Sequence, residues 1–238
     1  MVKRTMDKKR KVICVSSSIS NFREKLREQT GLQEWSIFSV FRPAIFFGLY
    51  HWIDYCKFIL HRGKKKVFWC GGDLIALSKR PIWQWILRKI KTMHMSENMN
   101  EIDLIHKMDL FPRMSATPMI FAKPDTSIAY KYSKPIHVFI TAHKGREEEY
   151  GIGIIEHIAS FISGVVFHIY GIDGENKENV IYHGQVSEEQ FDEEIKNYHA
   201  SIRLNAFDGF AETTAKSVLH GQYPITFIDY PWIDRATS

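Results

Sequence analysis

Two groups of side chains in the second half of this 238-residue sequence have the types and spacing to hold a phosphorylated ligand. One is the basic loop Ala142-His143-Lys144-Gly145-Arg146, which directly follows an apolar run at 136–141. The other is the turn Asp208-Gly209, where the backbone can bend sharply ahead of a helix expected over 210–220. The first N–H groups of such a helix have no partner inside it. Phe210 and Ala211 are therefore expected at a positive helix end that stabilises a phosphate. Lys144, Arg146 and that helix end suit one kind of chemistry. Preorganised cations and helix-end N–H groups of this kind stabilise negative charge on a phosphate, in the ground state or as it grows during a reaction. Arg203 fits two readings, a further cation for the ligand or a partner for Asp208.

The first half offers a weaker constellation. Gly71-Gly72-Asp73 follows the apolar run at 66–70, at the carboxyl end of an expected strand. In open α/β sheets ligands collect outside those ends, and glycines allow close backbone approach. Asp73 is the candidate base on the acceptor side, with Gly71 and Gly72 beside it. His51 and His143 are further candidates for activating an acceptor, since imidazole titrates near working pH. No metal site is expected. The histidines lack a His-Glu-x-x-His arrangement, and Asp173-Gly174-Glu175 reads as a polar turn. Gly-x-Ser-x-Gly and a Walker loop are absent too, so serine hydrolase and P-loop readings have no support.

The elements that must position these residues alternate between strand and helix. Strands are expected at 11–15, 35–40, 44–47, 66–70, 94–96 and 117–122, with helices at 22–29, 50–60, 80–91 and 97–108 and Ser96 as the cap of the last. A polar, proline-bounded stretch at 124–135 reads as a linker. Beyond it come strands at 136–141, 165–170, 180–182, 201–204 and 224–228. Helices lie at 150–162, at 187–198 with Ser187 and Gln190 in a capping box, and at 210–220. The inward face of the 150–162 helix is expected to be Ile154, Ile155, Ile158, Phe161 and Ile162. Such alternation calls for parallel sheets with right-handed crossovers. The fold class is therefore α/β, with two Rossmann-like domains: an abbreviated N-terminal one at 1–123 and a C-terminal one at 136–238.

The stretch at 202–227, IRLNAFDGFAETTAKSVLHGQYPITF, resembles the donor-binding segment of GT-B glycosyltransferases. There a helix opens with Asp/Glu-Gly-x-small and ends with small-x-x-Gly before a Pro-led strand. Here these are Asp208-Gly209-Phe210-Ala211 and Gly221-Gln222-Tyr223-Pro224-Ile225. The resemblance implies that Lys144 and Arg146 meet the donor diphosphate, that His183 and Gly184 lie against the nucleobase, and that Arg203, Asp208 and Gly209 line the same site. Relatives usually carry a second acidic residue two turns along the helix, and Lys216 stands there instead. That departure implies either an altered sugar-nucleotide pose or a lysine that meets a phosphate.

The resemblance implies a glycosyltransferase that moves a sugar from a nucleotide diphosphate donor to an acceptor, with no cofactor beyond that substrate. The alternative is a non-catalytic GT-B-like module that binds a nucleotide or a partner. Net charge is +5, concentrated in a basic run at 3–11, which lacks a signal-peptide core, and in Lys64-Lys65-Lys66. Both fit solvated segments, or attraction to an anionic membrane or phosphorylated substrates. The segment 80–91, RPIWQWILRKIK, is basic, amphipathic and tryptophan-bearing, and offers a membrane-surface contact beside its plain reading as a packed helix. Three cysteines without CxxC spacing argue for free thiols and a cytoplasmic setting, peripheral to a membrane if 80–91 binds one. Nucleic-acid binding is discounted, because basic and aromatic residues do not interleave on one strand face.

Overall fold

The computed structural model describes residues 11–90, 92–110, 113–116 (backbone), 132–231 and 233. The chain divides into two compact units, each with its own parallel sheet. The first comprises Met1–Phe121, Phe207–Phe210 and Asp229–Ser238, and the second Ala122–Ala206 and Ala211–Ile228. The strand expected at 117–122, most of the linker expected at 124–135 and residues 1–10 of the basic run lie outside the described residues.

In the first unit the chain runs β1 (Val12–Val15), α1 (Arg23–Thr30), β2 (Gln33–Glu34), β3 (Ala44–Phe47), α2 (Trp52–Leu60), β4 (Lys65–Phe68) and α3 (Gly72–Ser78). It continues through α4 (Pro81–Lys89), β5 (Met93–Ser96), α5 (Met99–Lys107) and β6 (Arg113–Ala116). The strand order is β2-β1-β3-β4-β5-β6, parallel at every pairing. β1 is buried at all four positions, as a central parallel strand with both faces covered must be. Val12, Phe46, Val67 and Trp69 pack under Tyr55, Phe58, Leu74, Leu77 and Leu87. Ile13, Val15, Phe47 and Phe68 pack on the other side with Leu26 and Leu32.

The second unit runs β7 (Ile136–Thr141), α6 (Ile152–Ala159), β8 (Val165–Tyr170), β9 (Val180–Gly184), α7 (Glu188–Ile195), β10 (Ala200–Arg203), α8 (Glu212–Leu219) and β11 (Tyr223–Thr226). Its order is β11-β10-β7-β8-β9, again all parallel. The order reverses between β7 and β10. Ser187 caps α7 as expected, its Oγ accepting the Gln190 N–H at 3.1 Å.

Three local expectations fail for physical reasons. The apolar run at 35–40 is not a strand; β2 ends at Glu34, and Ile37–Ser39 forms a 3-10 turn with Ile37 and Phe38 facing solvent. The cap of α5 is Asn98 rather than Ser96, because its Oδ1 accepts the Glu101 N–H at 2.9 Å while Glu101 Oε2 accepts the Glu97 N–H at 2.7 Å. The buried side of α6 is Ile152, Ile155 and Ala159, spaced for one helical face, whereas Ile154, Ile158, Phe161 and Ile162 are exposed.

Polar side chains are buried in both units with defined partners. In the first, Trp69 Nε1 donates to His94 Nδ1 at 3.1 Å, and burial holds the His94 imidazole down to about 4. In the second, histidines from neighbouring strands line one face. His137 Nδ1 and His168 Nε2 share a hydrogen bond at 2.8 Å, and His168 Nδ1 and His183 Nε2 another at 2.9 Å. Burial first, then the neighbouring His183 and His137, also hold His168 down to about 4.

A histidine kept neutral by the fold stabilises it fully above its unfolded value near 6.5 and loses that contribution as pH falls towards the folded value. The urea midpoint is therefore expected to fall as pH drops from neutral towards about 4.5. His94→Gln, which keeps an acceptor for Trp69, should flatten that slope by the share of one proton. Equal slopes for the two proteins would show that His94 does not titrate in this way.

Candidate functional site

The reversal between β7 and β10 makes their carboxyl ends the natural ligand position of the second sheet. Thr141 closes β7 and Arg203 closes β10. Arg203 Nη1 lies 3.3 Å from Thr141 Oγ1, and Thr141 Oγ1 lies 2.6 Å from Thr213 Oγ1 in the first turn of α8. Arg203 spreads its guanidinium 4.5 Å from the centre of the Tyr150 ring, and Arg146 lies 5.3 Å from the same ring. Two cations thus lie against one aromatic ring, an arrangement worth about 0.5–2 kcal/mol per contact. Glu149 forms a two-pronged pair with Arg146 and accepts from Asn205 Nδ2 at 3.2 Å. The Arg146 bond, more than any other contact, holds its carboxyl below the usual range. His143 stands edge-on to Tyr150, and Lys144 is exposed on the same loop.

Thr214 Oγ1 and Asn205 Oδ1 are buried without a hydrogen-bond partner. Helix α8 is capped at Ala211 without a side-chain acceptor, so the N–H groups of its first turn have no intrahelical partner. Cations, helix-end amides and unsatisfied polar atoms gather where two strands end. The cluster suits an anionic ligand.

The turn at 207–210 belongs to the first unit, not to the second as the expected 136–238 domain has it. Its groups explain why. Asn98 Nδ2 donates to the Asp208 carbonyl at 2.6 Å, the Tyr230 hydroxyl donates to the Gly209 carbonyl at 2.6 Å, and the Phe210 N–H donates to Glu97 Oε2 at 2.8 Å. Asp208 Oδ1 accepts the Gly209 N–H at 2.9 Å. Gly71, at φ +81°, lies so close that a Cβ there would fall 2.8 Å from the Gly209 nitrogen. Burial, then the Glu97 charge, pushes the Glu101 carboxyl well above the usual range.

These contacts correct several sequence readings. The Gly209 and Phe210 amides are not open to phosphate, because Asp208 and Glu97 already accept from them; the helix end passes to 212–214. Asp73 is not an acceptor-side base. It is fully buried and accepts the N–H groups of Leu49, Cys70 and Leu74 at 3.0, 2.9 and 2.9 Å, which makes it a clamp between two strand ends. Burial raises its carboxyl to about 6 against the pull of those donors. Gly71 serves close approach to Gly209, while a Cβ on Gly72 would make only ordinary contact with Tyr50. Lys216 is 3% exposed and points at carboxylates, with Asp192 at 2.5 Å, Glu212 at 3.4 Å and Glu188 at 3.8 Å. His183 has one face stacked on Tyr170 with centroids 4.2 Å apart, and the Gly184 carbonyl accepts the Gly171 N–H at 2.7 Å. His51 is exposed at the corresponding reversal of the first sheet, between β1 and β3, its Nε2 2.7 Å from Ser18 Oγ.

Sequence reasoning missed Tyr150, Thr141, Thr213 and Asn205 at the second sheet, and Glu97 and Asn98 at the first. Only Asn98 carried a signal, as the start of Asn-x-x-Glu before an apolar helix.

The chain has the GT-B fold: two parallel α/β units, each with a reversal in strand order. Solved GT-B glycosyltransferases share it. The lipopolysaccharide outer core galactosyltransferase WaaB matches over 91% of this chain and 80% of its own, with a TM-score of 0.59 and 13% identity. Alr3699/HepE of Anabaena, solved in complex with UDP-glucose, matches over 91% and 80%, with a TM-score of 0.57 and 8% identity. TarM matches over 82% of this chain with a TM-score of 0.57 and 13% identity, and the chain spans 43% of TarM's length. No protein-family model and no curated protein matches the sequence.

Gly71→Ala is expected to destabilise the first unit by about 1–3 kcal/mol, through positive φ and the clash with Gly209. Hydrogen exchange should show faster exchange of the Gly209 and Phe210 amides. Lys216→Met should lower stability by about 1–3 kcal/mol, leaving three carboxylates without their cation, and leave nucleotide affinity unchanged in calorimetry. Loss of nucleotide affinity in that variant would put the lysine in the ligand site.

Proposed function

We propose that the chain transfers a sugar from a nucleoside diphosphate donor to an acceptor hydroxyl, with the donor diphosphate at the carboxyl ends of β7 and β10. The observation that carries this reading is the meeting of Arg203, Tyr150, Thr141 and Thr213 at the strand-order reversal of the second sheet. Arg203, Arg146 and Lys144, with the first amides of α8, oppose the charge that develops as the sugar leaves the diphosphate oxygen. The neighbours support it in kind: one is a galactosyltransferase, and another was solved with UDP-glucose. The charge on that oxygen is met by protein cations in this reading, so it asks for no metal. His51, at the reversal of the first sheet, is the candidate for acceptor activation.

A lipid-carried acceptor fits the same reading. Helix α4 leaves Ile82 and Trp85 exposed near Lys89, as one point of contact with a membrane. The three free cysteines, Cys14, Cys56 and Cys70, suit a cytoplasmic setting. Among the described residues no helix is long and apolar enough to cross a membrane.

One observation favours the second reading, a non-catalytic nucleotide- or partner-binding module. Lys216, where relatives usually carry an acidic residue, is turned into the carboxylates of α7 and α8. Calorimetry with a panel of nucleoside diphosphates, followed by a donor-hydrolysis assay, separates the two. Binding of a nucleoside diphosphate is expected to weaken more than about tenfold in Arg203→Ala, and in the Lys144→Ala/Arg146→Ala pair, since charge-assisted bonds are worth about 1.5–3 kcal/mol each. Unchanged affinity in both variants would remove the donor site from this position. Tight binding without turnover of any donor would favour the module.

A further inference from the structure

We infer that the loop at 37–42 is a membrane anchor, inserting its apolar tip into an anionic lipid surface. Ile37, Phe38 and Phe41 are 59%, 94% and 79% exposed in a segment whose composition is that of a buried strand. Scattered apolar residues on a surface need no explanation, but three within five residues form a patch. The segment is built, not slack. Ser39 Oγ donates to the Ser36 carbonyl at 2.7 Å and accepts the Ser36 N–H at 2.9 Å, and the Arg42 N–H reaches the Ser39 carbonyl at 2.9 Å.

The same loop is fastened to a row of cations. The Arg62 and Gly63 N–H groups both donate to the Val40 carbonyl, at 2.9 and 3.0 Å. A Cβ on Gly63 would lie 2.7 Å from the Phe41 carbonyl oxygen, so the two segments are in direct contact. Arg42, Arg62 and Lys64 are exposed in the two segments, with Lys66 exposed two residues further on; Arg42 Nη1 donates to Gln33 Oε1 at 3.1 Å, and among the described residues none of the four has a carboxylate partner. Lys65 is not part of the row; its Nζ turns inward to the Phe58 and His61 carbonyls at 2.6 and 2.8 Å. Leu60, exposed at the end of α2, adds an aliphatic side chain beside the row.

Apolar side chains beside cations without a carboxylate partner match a bilayer with anionic headgroups, where acyl chains take the tip and lipid phosphates take the rim. A second copy of this chain is a poor occupant. Two-fold pairing would set like cations against each other. Single-stranded nucleic acid would stack on Phe38 and Phe41 but leave the aliphatic Ile37 and Leu60 uncovered, whereas acyl chains cover all four. Helix α4 is the weaker lipid contact, since Trp83 stacks on Tyr55 and Arg88 Nε is bonded to the Met108 carbonyl at 2.9 Å.

The test is sedimentation of the whole chain with vesicles of phosphatidylcholine alone and with about 30% phosphatidylglycerol, at low and high salt. Binding is expected only to the anionic vesicles. It should fall more than about tenfold at high salt, in Phe38→Ser/Phe41→Ser and in Arg62→Glu/Lys64→Glu, and by less than in either of those pairs in Ile82→Ser/Trp85→Ser. Equal or no binding to both vesicle types would overturn the inference, as would retention in either loop pair. So would a dimer, seen by light scattering, that Phe38→Ser/Phe41→Ser dissociates, or tighter binding to a single-stranded oligonucleotide than to the anionic vesicles. No part of the test uses sugar transfer, so its failure leaves the donor site untouched.

Discussion

The first unit depends on a close approach of backbone to backbone at Gly71 and Gly209. Only a residue without a Cβ, held at positive φ, leaves room for the second segment to reach the loop after β4. Once there, every polar group of the turn must find a partner, because burying an unpaired N–H or carbonyl costs about 1–3 kcal/mol. Asn98, Glu97, Tyr230 and Asp208 supply those partners from three separate stretches of sequence. The turn that resembles a phosphate cradle is thus satisfied by the protein's own groups, one of them a carboxylate standing where an external anion was expected.

Charge is distributed accordingly. The first unit buries Asp73, Glu97 and Glu101 near the ends of its strands, and backbone N–H groups donate to Asp73 and Glu97. The second unit presents cations at the ends of β7 and β10, two of them against one tyrosine ring. In the proposed reading that asymmetry assigns the diphosphate to the second unit and leaves the first the histidine at its own reversal point. Lys216 does not add to the cationic side, because the carboxylates around it cancel it locally.

The fold was legible because parallel strands buried on both faces read as short apolar runs separated by glycines and caps. The runs at 44–47, 136–141 and 165–170 and the Ser187 cap all announce themselves in this way. What escaped were features that depend on distant residues. Nothing near Asp73 in sequence shows that Leu49 donates to it, and nothing near Phe210 shows Glu97. The run at 35–40 misled because apolar composition predicts burial, and here the apolar side chains face outward. The α6 stripe misled differently: it is apolar nearly all round, so periodicity alone could not choose its inward side. At the candidate site the basic loop and Arg203 were readable as cations, whereas Tyr150 and the two threonines had no local pattern to mark them.

Because Phe207–Phe210 and residues from Asp229 onward belong to the first unit, its polypeptide is not contiguous. A fragment ending before residue 132 would lack the segment that fills the space beside Gly71 and the tyrosine that bonds to it. The complementary fragment would carry those residues without the groups that accept them. Dissection into halves by a single cut therefore breaks the first unit whichever half is kept, and isolating it calls for a rearranged chain order rather than a truncation.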